Sequence, residues 1–213
     1  MRGLLITVEG VEGSGKTTQC LRLAAHLRGR GLEVVETSEP DGTPLGVAAV
    51  RAVIERDGPP PTPLAQAFLF LAARQQHVAQ VIRPALARGA VVVSDRYTDA
   101  TLAYQGYAQG VDLETLRELN ALATGGVLPD LTLVLDLDPA AGIARIRGRP
   151  LDAFERMDLD FHRRVREGYL DIAGAEKSRV VVLAADQDPE RLQAAVARVV
   201  GELVDRREAP RGG

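Results

Sequence analysis

The chain has 213 residues, of which 46% are hydrophobic, and a formal net charge of −3. This length suffices for a single domain spanning 1–213 with a buried core, while the absence of a long uncharged apolar run excludes a membrane-spanning helix. The mildly acidic balance excludes a broad basic surface for nucleic acid, and a lone cysteine with no leader-like segment predicts a cytoplasmic protein.

Apolar runs of strand length alternate with longer helical patterns, which is typical of parallel βαβ units. The predicted strands are 4–8, 33–37, 90–94, 131–137 and 179–184. Two of them contain consecutive valines, at 91–93 and 180–182, as expected of strands that helices cover on both faces. We therefore predict an α/β fold with a five-stranded parallel sheet and helices on both faces.

The predicted helices fill the intervals between the strands and follow the last one. They are 16–28, 45–56, 63–88, 113–123, 140–147, 159–175 and 189–206. Glycine at 29 and at 89 is expected to end the first and the third helix. The tail at about 208–213 has no sizeable apolar side chain to bury, so we expect it to be frayed.

The residues between the first strand and the first helix match the phosphate-binding pattern G-x-x-x-x-G-K-[ST]. They are Gly10, Val11, Glu12, Gly13, Ser14, Gly15, Lys16, Thr17 and Thr18. Glycines let successive backbone N–H groups turn towards a phosphate without obstruction by a Cβ. Lys16, one of only two lysines, is predicted to reach the β- and γ-phosphates, and Thr17 to offer its hydroxyl to Mg²⁺. This loop therefore predicts an ATP site.

Polar residues follow the second and third strands, at the sheet edge where ligands bind in open α/β folds. Glu39 comes after the second strand, and Asp95 and Arg96 come after the third. An acid in the position of Asp95 can hold Mg²⁺, and Arg96 can reach a phosphate. A simple ion pair between these two residues is the alternative.

Two further groups of residues predict a second pocket and a lid. Phe70 and Arg74 lie one helical turn apart, so a ring and a guanidinium could together hold a flat base. Arg145, Arg147 and Arg149 precede a helix-breaking segment, which indicates a mobile lid at about 143–157. Core packing for Phe70 and a solvated helix face for the arginines are the alternatives.

Two function classes share such a phosphate loop. Enzymes of the first class transfer the γ-phosphate to a small molecule, whereas members of the second act as nucleotide-binding switches or regulatory subunits. A guanine-reading switch carries an N-K-x-D segment, and this chain has no lysine between Lys16 and Lys177. The second pocket and the lid favour a kinase. Within that class, another pyrimidine monophosphate or a deoxynucleoside is the alternative acceptor.

Five segments in register resemble the bacterial thymidylate kinase family. They are 8–18, 70–74, 95–97, 103–106 and 129–132, and the similarity extends from the first strand to about residue 195. The most diagnostic pair is Asp-Arg-Tyr at 95–97 followed by Ala-Tyr-Gln-Gly at 103–106.

This resemblance implies a P-loop nucleoside monophosphate kinase that uses ATP and Mg²⁺ to convert dTMP to dTDP, in the dTTP supply for DNA synthesis. It also implies a homodimer, which the apolar helix at 65–73 could support. Lys16, Thr17 and Asp95 would serve ATP and the metal, and Arg145 would stack on adenine. Lys16, Arg96, Arg147 and Arg149 would stabilise the transferring phosphoryl group. The dTMP site would comprise Glu12, Glu39, Arg51, Phe70, Arg74, Arg96, Thr101, Tyr104 and Gln105.

The resemblance also assigns individual roles at the acceptor. Glu12 would face the sugar 3′-hydroxyl and Tyr104 would lie against the deoxyribose. Phe70 would stack on thymine, while Arg74 and Gln105 would read its polar edge. Arg51 and Arg96 would hold the acceptor phosphate.

The chain departs from the family pattern at four positions. Ser38 and Asp41 stand where the family usually has arginine and glycine, so either another arginine compensates or phosphate affinity is weaker. Ala153 replaces a lid arginine, which leaves the roles of the neighbouring arginines open. Ala100 replaces a common serine and leaves Thr101 as the hydroxyl nearest the base.

Overall fold

A computed structural model describes residues 2–55 and 58–208. Its strands are β1 (Leu4–Glu9), β2 (Val34–Ser38), β3 (Val91–Asp95), β4 (Leu131–Asp136) and β5 (Val180–Ala184). Within the described residues they form one parallel sheet in the order β2-β3-β1-β4-β5. The predicted fold class is confirmed, and each predicted strand end falls within about one residue of the observed end.

Helices occupy the intervals between the strands. They are α1 (Lys16–Gly29), α2 (Pro44–Val53), α3 (Pro63–His77), α4 (Arg83–Ala87), α5 (Thr98–Thr101), α6 (Leu113–Thr124), α7 (Pro139–Ile146), α8 (Leu159–Ala175) and α9 (Pro189–Glu208). Residue 56 of the predicted second helix and residues 209–213 of the predicted tail lie outside the described residues. In the described part of the chain, each helix is too short or too polar to cross a lipid bilayer.

Side chains alternate along each strand, and both faces of the sheet are covered at its central strand β1. The predicted cover on both faces is wrong for β5, because it is an edge strand whose Val182 is 41% exposed. Leu5 points into a cluster that includes Ile82, in the segment that joins α3 to α4. Its neighbour Ile6 belongs to a second cluster that includes Leu23 of α1. The two faces of the same strand are therefore buried against different helices.

Two helical predictions differ from the structure. The predicted helix 63–88 is helical from Pro63 to Ala87, but a π-helical turn at Val78–Ile82 replaces α-helical hydrogen bonding between α3 and α4. Pro84 follows that turn and has no N–H to donate, so the altered hydrogen-bond spacing accommodates it. The segment 98–108 was not predicted to be helical, yet α5 continues there into a π-helical segment at Leu102–Ala108.

The sheet order brings the sites predicted from separate segments to one edge. Strand β1 lies between β3 and β4, and Val8 is in register with Asp95. Ser38 at the end of β2 is also in register with Asp95, and the Glu39 N–H donates to the Asp95 carbonyl at 2.9 Å. The phosphate loop, Glu39 and Arg96 consequently meet at the carboxyl ends of three adjacent strands.

Candidate active site

The phosphate loop runs from the end of β1 to the start of α1. Gly10, Gly13 and Gly15 have φ values of 144°, 71° and 93°, which side-chain-bearing residues rarely adopt. A Cβ on Gly13 would also collide with the carbonyl of Gly142 in α7. Glycine is thus required at Gly13 both by its backbone conformation and by the close approach of a neighbouring helix.

Lys16 folds its side chain across this loop. Its Nζ donates to the carbonyls of Gly10 at 3.1 Å and Val11 at 2.9 Å. Burial and the neighbouring Arg96 guanidinium lower the pKa of Lys16, while nearby carboxylates, Glu12 foremost, oppose that change. Ser14 in the same loop has a buried Oγ without a hydrogen-bond partner among the described residues. Thr18 lies exposed on the first turn of α1. Together, Lys16 and the loop glycines form a cradle that can bind an anion.

Thr17 and Asp95 bring two oxygen ligands together beside the phosphate loop. The Thr17 hydroxyl donates to Asp95 Oδ2 at 2.6 Å. No group of three or more His, Cys, Asp or Glu side chains in the described residues is arranged to hold a metal ion. Mg²⁺ bound with a nucleotide needs few protein ligands, because phosphate oxygens and water complete its shell. A hydroxyl and a carboxylate therefore suit Mg²⁺ with ATP.

Next to the loop lies a cleft of about 630 Å³ that is open to solvent. It is lined by Glu12, Glu39, Pro40, Ile54, Phe70, Arg74, Arg96, Tyr97, Ala100, Thr101, Tyr104, Gln105, Asp152 and Phe154. Eight of the nine residues predicted to bind the acceptor are in this set. The ninth, Arg51, lies exposed on α2, outside the lining of the cleft.

Arg96 and Glu12 join the cleft to the phosphate loop. Arg96 Nη2 donates to Glu12 Oε1 at 2.7 Å, and the Tyr104 hydroxyl donates to the same oxygen at 2.6 Å. The Arg96 guanidinium carbon also lies 5.0 Å from the centre of the Tyr104 ring. Burial raises the pKa of Glu12, but Arg96 and Lys16 outweigh it and hold that pKa at about 2. Glu12 is therefore charged at neutral pH. The alternative of a simple Asp95–Arg96 ion pair is not realised, because Arg96 pairs with Glu12.

Arg74 is fixed inside a buried hydrogen-bond network. It donates to Glu39 at 2.7 Å, Thr101 at 2.9 Å and Asn120 at 2.5 Å, and also to the Tyr97 carbonyl. These four bonds use four of its five N–H groups. The guanidinium thus reaches the cleft wall in one fixed orientation.

Two members of this network were missed by sequence reasoning. His77 Nδ1 lies 2.9 Å from Glu39 Oε1, and His77 Nε2 lies 2.6 Å from the Thr37 hydroxyl. Asn120 Nδ2 donates in turn to the Thr98 carbonyl at 3.3 Å. His77 lies three residues after Arg74 on α3, a helical spacing that could have indicated it, whereas Asn120 lies on α6 and no spacing signal connects it to the site. Gln105, which also lines the cleft, is buried, and its Nε2 donates to the Gln109 amide oxygen at 3.4 Å.

The lid arginines, grouped together in the sequence, occupy three different environments. Arg145 donates to the carbonyls of Gly13 at 3.3 Å and Ala185 at 3.1 Å, beside the phosphate loop. Arg147 is exposed at the end of α7. Arg149 forms a double hydrogen bond with the buried Glu155, at 2.5 and 2.9 Å.

A lid aromatic enters the acceptor cleft. The Phe154 ring centre lies 6.4 Å from Phe70 and 5.6 Å from Tyr104. Ala153 stands where the family pattern has an arginine. It directly precedes Phe154, whose ring packs against Phe70, the residue predicted to stack on the base. Ser38 and Asp41 also depart from the family pattern. The Ser38 hydroxyl donates to Asp41 Oδ1 at 2.7 Å, so these two residues form a hydrogen bond with each other.

Comparisons with known proteins agree with this geometry. A family model described as thymidylate kinase matches residues 8–196. Thymidylate kinase of Deinococcus radiodurans is 50% identical over 203 residues, covering 94% of this chain and 98% of that protein. The Solidesulfovibrio magneticus thymidylate kinase is 48% identical over 209 residues, covering 94% and 100%.

Similarity of fold extends to a solved structure. The crystal structure of thymidylate kinase from Ehrlichia chaffeensis aligns with a TM-score of 0.77 and 32% identity. The alignment covers 94% of this chain and 99% of that chain. The chain belongs to the thymidylate kinase family.

Proposed function

We propose that this protein transfers the γ-phosphoryl group of ATP to dTMP, forming dTDP and ADP, and so contributes to the dTTP supply for DNA synthesis. The observation that carries the proposal is the Arg96–Glu12 contact of 2.7 Å, because it joins the phosphate loop to the cleft. A donor phosphate on the loop and an acceptor phosphate near Arg96 would lie next to each other. Membership of the thymidylate kinase family supports the same reaction.

The transfer needs no covalent intermediate with the protein. An oxygen of the dTMP phosphate forms a new bond to the γ-phosphorus while the bond from that phosphorus to the ADP oxygen breaks. Lys16 and Arg96 neutralise negative charge on the transferring group, and Arg147 or Arg149 adds a further cation from the lid. Thr17 and Asp95 would hold Mg²⁺, which supplies additional charge neutralisation when bound with ATP.

Acceptor selection rests on the cleft walls. Phe70 offers a flat apolar surface for thymine, and Arg74, Thr101 and Gln105 offer polar groups at the edge of the base. Arg74 retains one N–H beyond its four bonds to protein, so it can still donate to a ligand.

The sugar and phosphate of the acceptor would lie nearer the loop. Tyr104 and Glu12 would contact the deoxyribose, with Glu39 behind them as the anchor of Arg74. Arg96 would hold the acceptor phosphate. We keep Arg51 as a further phosphate contact that requires movement of α2, because its side chain lies outside the cleft lining.

We further propose a homodimeric, cytoplasmic enzyme built as a single domain with a lid at about 143–157. Leu64 and Phe68 lie one turn apart on α3 and are 40% and 53% exposed. An exposed pair of large apolar side chains on one helix face is typical of a surface that another subunit covers.

The reaction is tested by ADP release, coupled to a detection enzyme, across deoxynucleoside and ribonucleoside monophosphates with ATP and Mg²⁺. We expect dTMP to have the highest kcat/KM, and Lys16→Ala to lose at least about 90% of kcat while remaining folded. Higher kcat/KM for another pyrimidine monophosphate would reassign the acceptor. ADP release that is independent of any acceptor would instead indicate a nucleotide hydrolase or switch.

A further inference from the structure

Arg96 is held in a backbone conformation that it does not favour. Its φ is 70°, and among the described residues it is the only one other than glycine with a positive φ. Left-handed conformations in side-chain-bearing residues are strained and persist only where the surroundings enforce them. The backbone conformation of Arg96, the residue proposed to hold the acceptor phosphate, therefore depends on restraint by neighbouring groups.

Hydrogen bonds on both sides of Arg96 supply that restraint. The Arg96 N–H donates to the Val8 carbonyl at 3.0 Å, and the Ser94 hydroxyl donates to the Arg96 carbonyl at 2.8 Å. The following N–H, from Tyr97, donates to Glu9 Oε1 at 2.7 Å. The peptide groups flanking Arg96 are thus fixed by two side chains, Ser94 and Glu9, in addition to one backbone bond.

The carboxyl group of Glu9 connects the Tyr97 N–H to a second residue, Tyr169. Its side chain is fully buried at the end of β1, and its second oxygen accepts from the Tyr169 hydroxyl at 2.8 Å. Burial, reinforced by Asp99, raises the pKa of Glu9 to about 8. A buried carboxyl is costly in a strand whose other positions are mostly apolar, so a specific hydrogen-bonding role accounts for it better than packing does.

We propose that Glu9 and Ser94 are positioning residues that hold the left-handed backbone of Arg96 and thereby direct its guanidinium towards Glu12 and the acceptor phosphate. This inference rests on the proposed role of Arg96 in the kinase reaction. Neither residue touches substrate in this scheme. Both act through Arg96 alone.

The first test compares variants that keep or remove the acceptor for the Tyr97 N–H. Glu9→Gln keeps an oxygen in place and is uncharged, so we expect kcat/KM for dTMP to stay within about threefold of the wild type. Glu9→Leu removes the acceptor, and we expect a loss of at least about tenfold in that ratio with the KM for ATP unchanged within about twofold. Ser94→Ala should cause a smaller loss of the same kind.

The matched control is Thr7→Val. Thr7 lies two residues before Glu9 on the same face of β1, and its buried hydroxyl is 2.8 Å from that of Thr132 on β4, whereas the hydrogen bonds at the peptide groups flanking Arg96 come from Val8, Ser94 and Glu9. We expect Thr7→Val to lower the melting temperature while leaving kcat/KM for dTMP within about twofold. A loss in Thr7→Val equal to that in Glu9→Leu would show a general structural effect and would overturn the positioning role.

A double-mutant cycle with Arg96→Ala gives the decisive result. If Glu9 acts through Arg96, Glu9→Leu should change kcat/KM by less than about twofold in the Arg96→Ala background. An undiminished effect there would overturn the inference. If Glu9→Leu does not fold, wild-type kinetics in Ser94→Ala would overturn it instead.

The same cycle separates this inference from the proposed function. Absence of dTMP-dependent ADP release in the wild-type protein would contradict the proposed function itself, and wild-type activity of Arg96→Ala would contradict the role of Arg96 on which this inference rests. A strong loss in Arg96→Ala, combined with silent Glu9→Leu and Ser94→Ala variants, would contradict only the positioning of Arg96 by these two residues.

Discussion

Tyr104 shows how one side chain contributes both a ring and a hydroxyl to the site. The hydroxyl binds Glu12 and the ring faces the Arg96 guanidinium. If the ring lies against C2′ of the acceptor, a ribose is rejected by exclusion of its 2′-hydroxyl. We predict that Tyr104→Ala reduces the preference for dTMP over the corresponding ribonucleotide by about tenfold, measured as the ratio of kcat/KM values.

Tyr104→Phe is the control for that prediction. It retains the ring and removes only the hydrogen bond to Glu12. We expect it to lower kcat/KM for both nucleotides while preserving their ratio. An unchanged ratio in Tyr104→Ala would remove Tyr104 from the sugar site.

Sequence reasoning found the residues that line the site but not those that hold them. Phe70 and Arg74 could be predicted because helical spacing and residue chemistry placed a ring beside a guanidinium. Asn120 could not, since its 2.5 Å bond to Arg74 depends on how α6 packs against α3. Arg51 illustrates the converse, because the family resemblance implies a phosphate contact for a residue that lies outside the cleft lining.

Among the elements, α7 contacts the phosphate loop and thereby sets the shape of the proposed ATP site. A Cβ on Gly142 would collide with the carbonyl of Glu12. We predict that Gly142→Ala displaces the loop and raises the KM for ATP by about tenfold or more. Gly174→Ala in α8 is the matched control, because no atom lies within 4 Å of the added Cβ. That control should be neutral or stabilise the protein by up to about 1 kcal/mol in thermal unfolding.

The proposed lid contains two candidates for the additional catalytic cation, Arg147 and Arg149. Arg149 is engaged with the buried Glu155, whereas Arg147 is exposed where α7 ends. We therefore expect Arg147→Ala to lower kcat by about 100-fold with little change in the KM for dTMP, in steady-state kinetics. Arg145→Ala should instead raise the KM for ATP. If neither Arg147→Ala nor Arg149→Ala lowered kcat by about tenfold, the lid would not provide the catalytic cation.

Elements with strong periodic patterns were predicted well, and those shaped by tertiary contacts were not. The strands are near-continuous apolar runs, so their positions follow from the sequence. The π-helical segment Leu102–Ala108 has no such pattern. It is stabilised by packing on α8, where a Cβ on Gly168 would lie only 2.8 Å from the Tyr107 ring.

The order of the strands in the sheet brings distant segments of the chain together at one candidate active site. The phosphate loop follows β1, Glu39 follows β2 and Arg96 follows β3, and these three strands are neighbours in the sheet. A parallel sheet places their carboxyl ends at the same edge. The sequence predicts this convergence, but the distances within it depend on the packing of the helices above that edge.

The proposed homodimer requires a surface that a second chain can cover. Leu64 and Phe68 form an exposed apolar stripe on α3, and we predict that this stripe is covered in a homodimer. Phe68→Glu should then sediment as a monomer of 22.8 kDa, whereas the wild type should have twice that mass. Leu21→Glu is the matched control, because Leu21 is also about half exposed but lies on α1.

Activity of the monomer follows from the contacts that hold the other side of α3. Arg74 is fixed by Glu39 and Asn120 of its own chain, so the orientation of this proposed base-binding group does not depend on a second subunit. We expect the KM for dTMP in Phe68→Glu to remain within about threefold of the wild-type value. A dimeric Phe68→Glu would refute the stripe as the interface. A monomer with a much higher KM would instead show that the partner subunit orders α3, and with it the acceptor cleft.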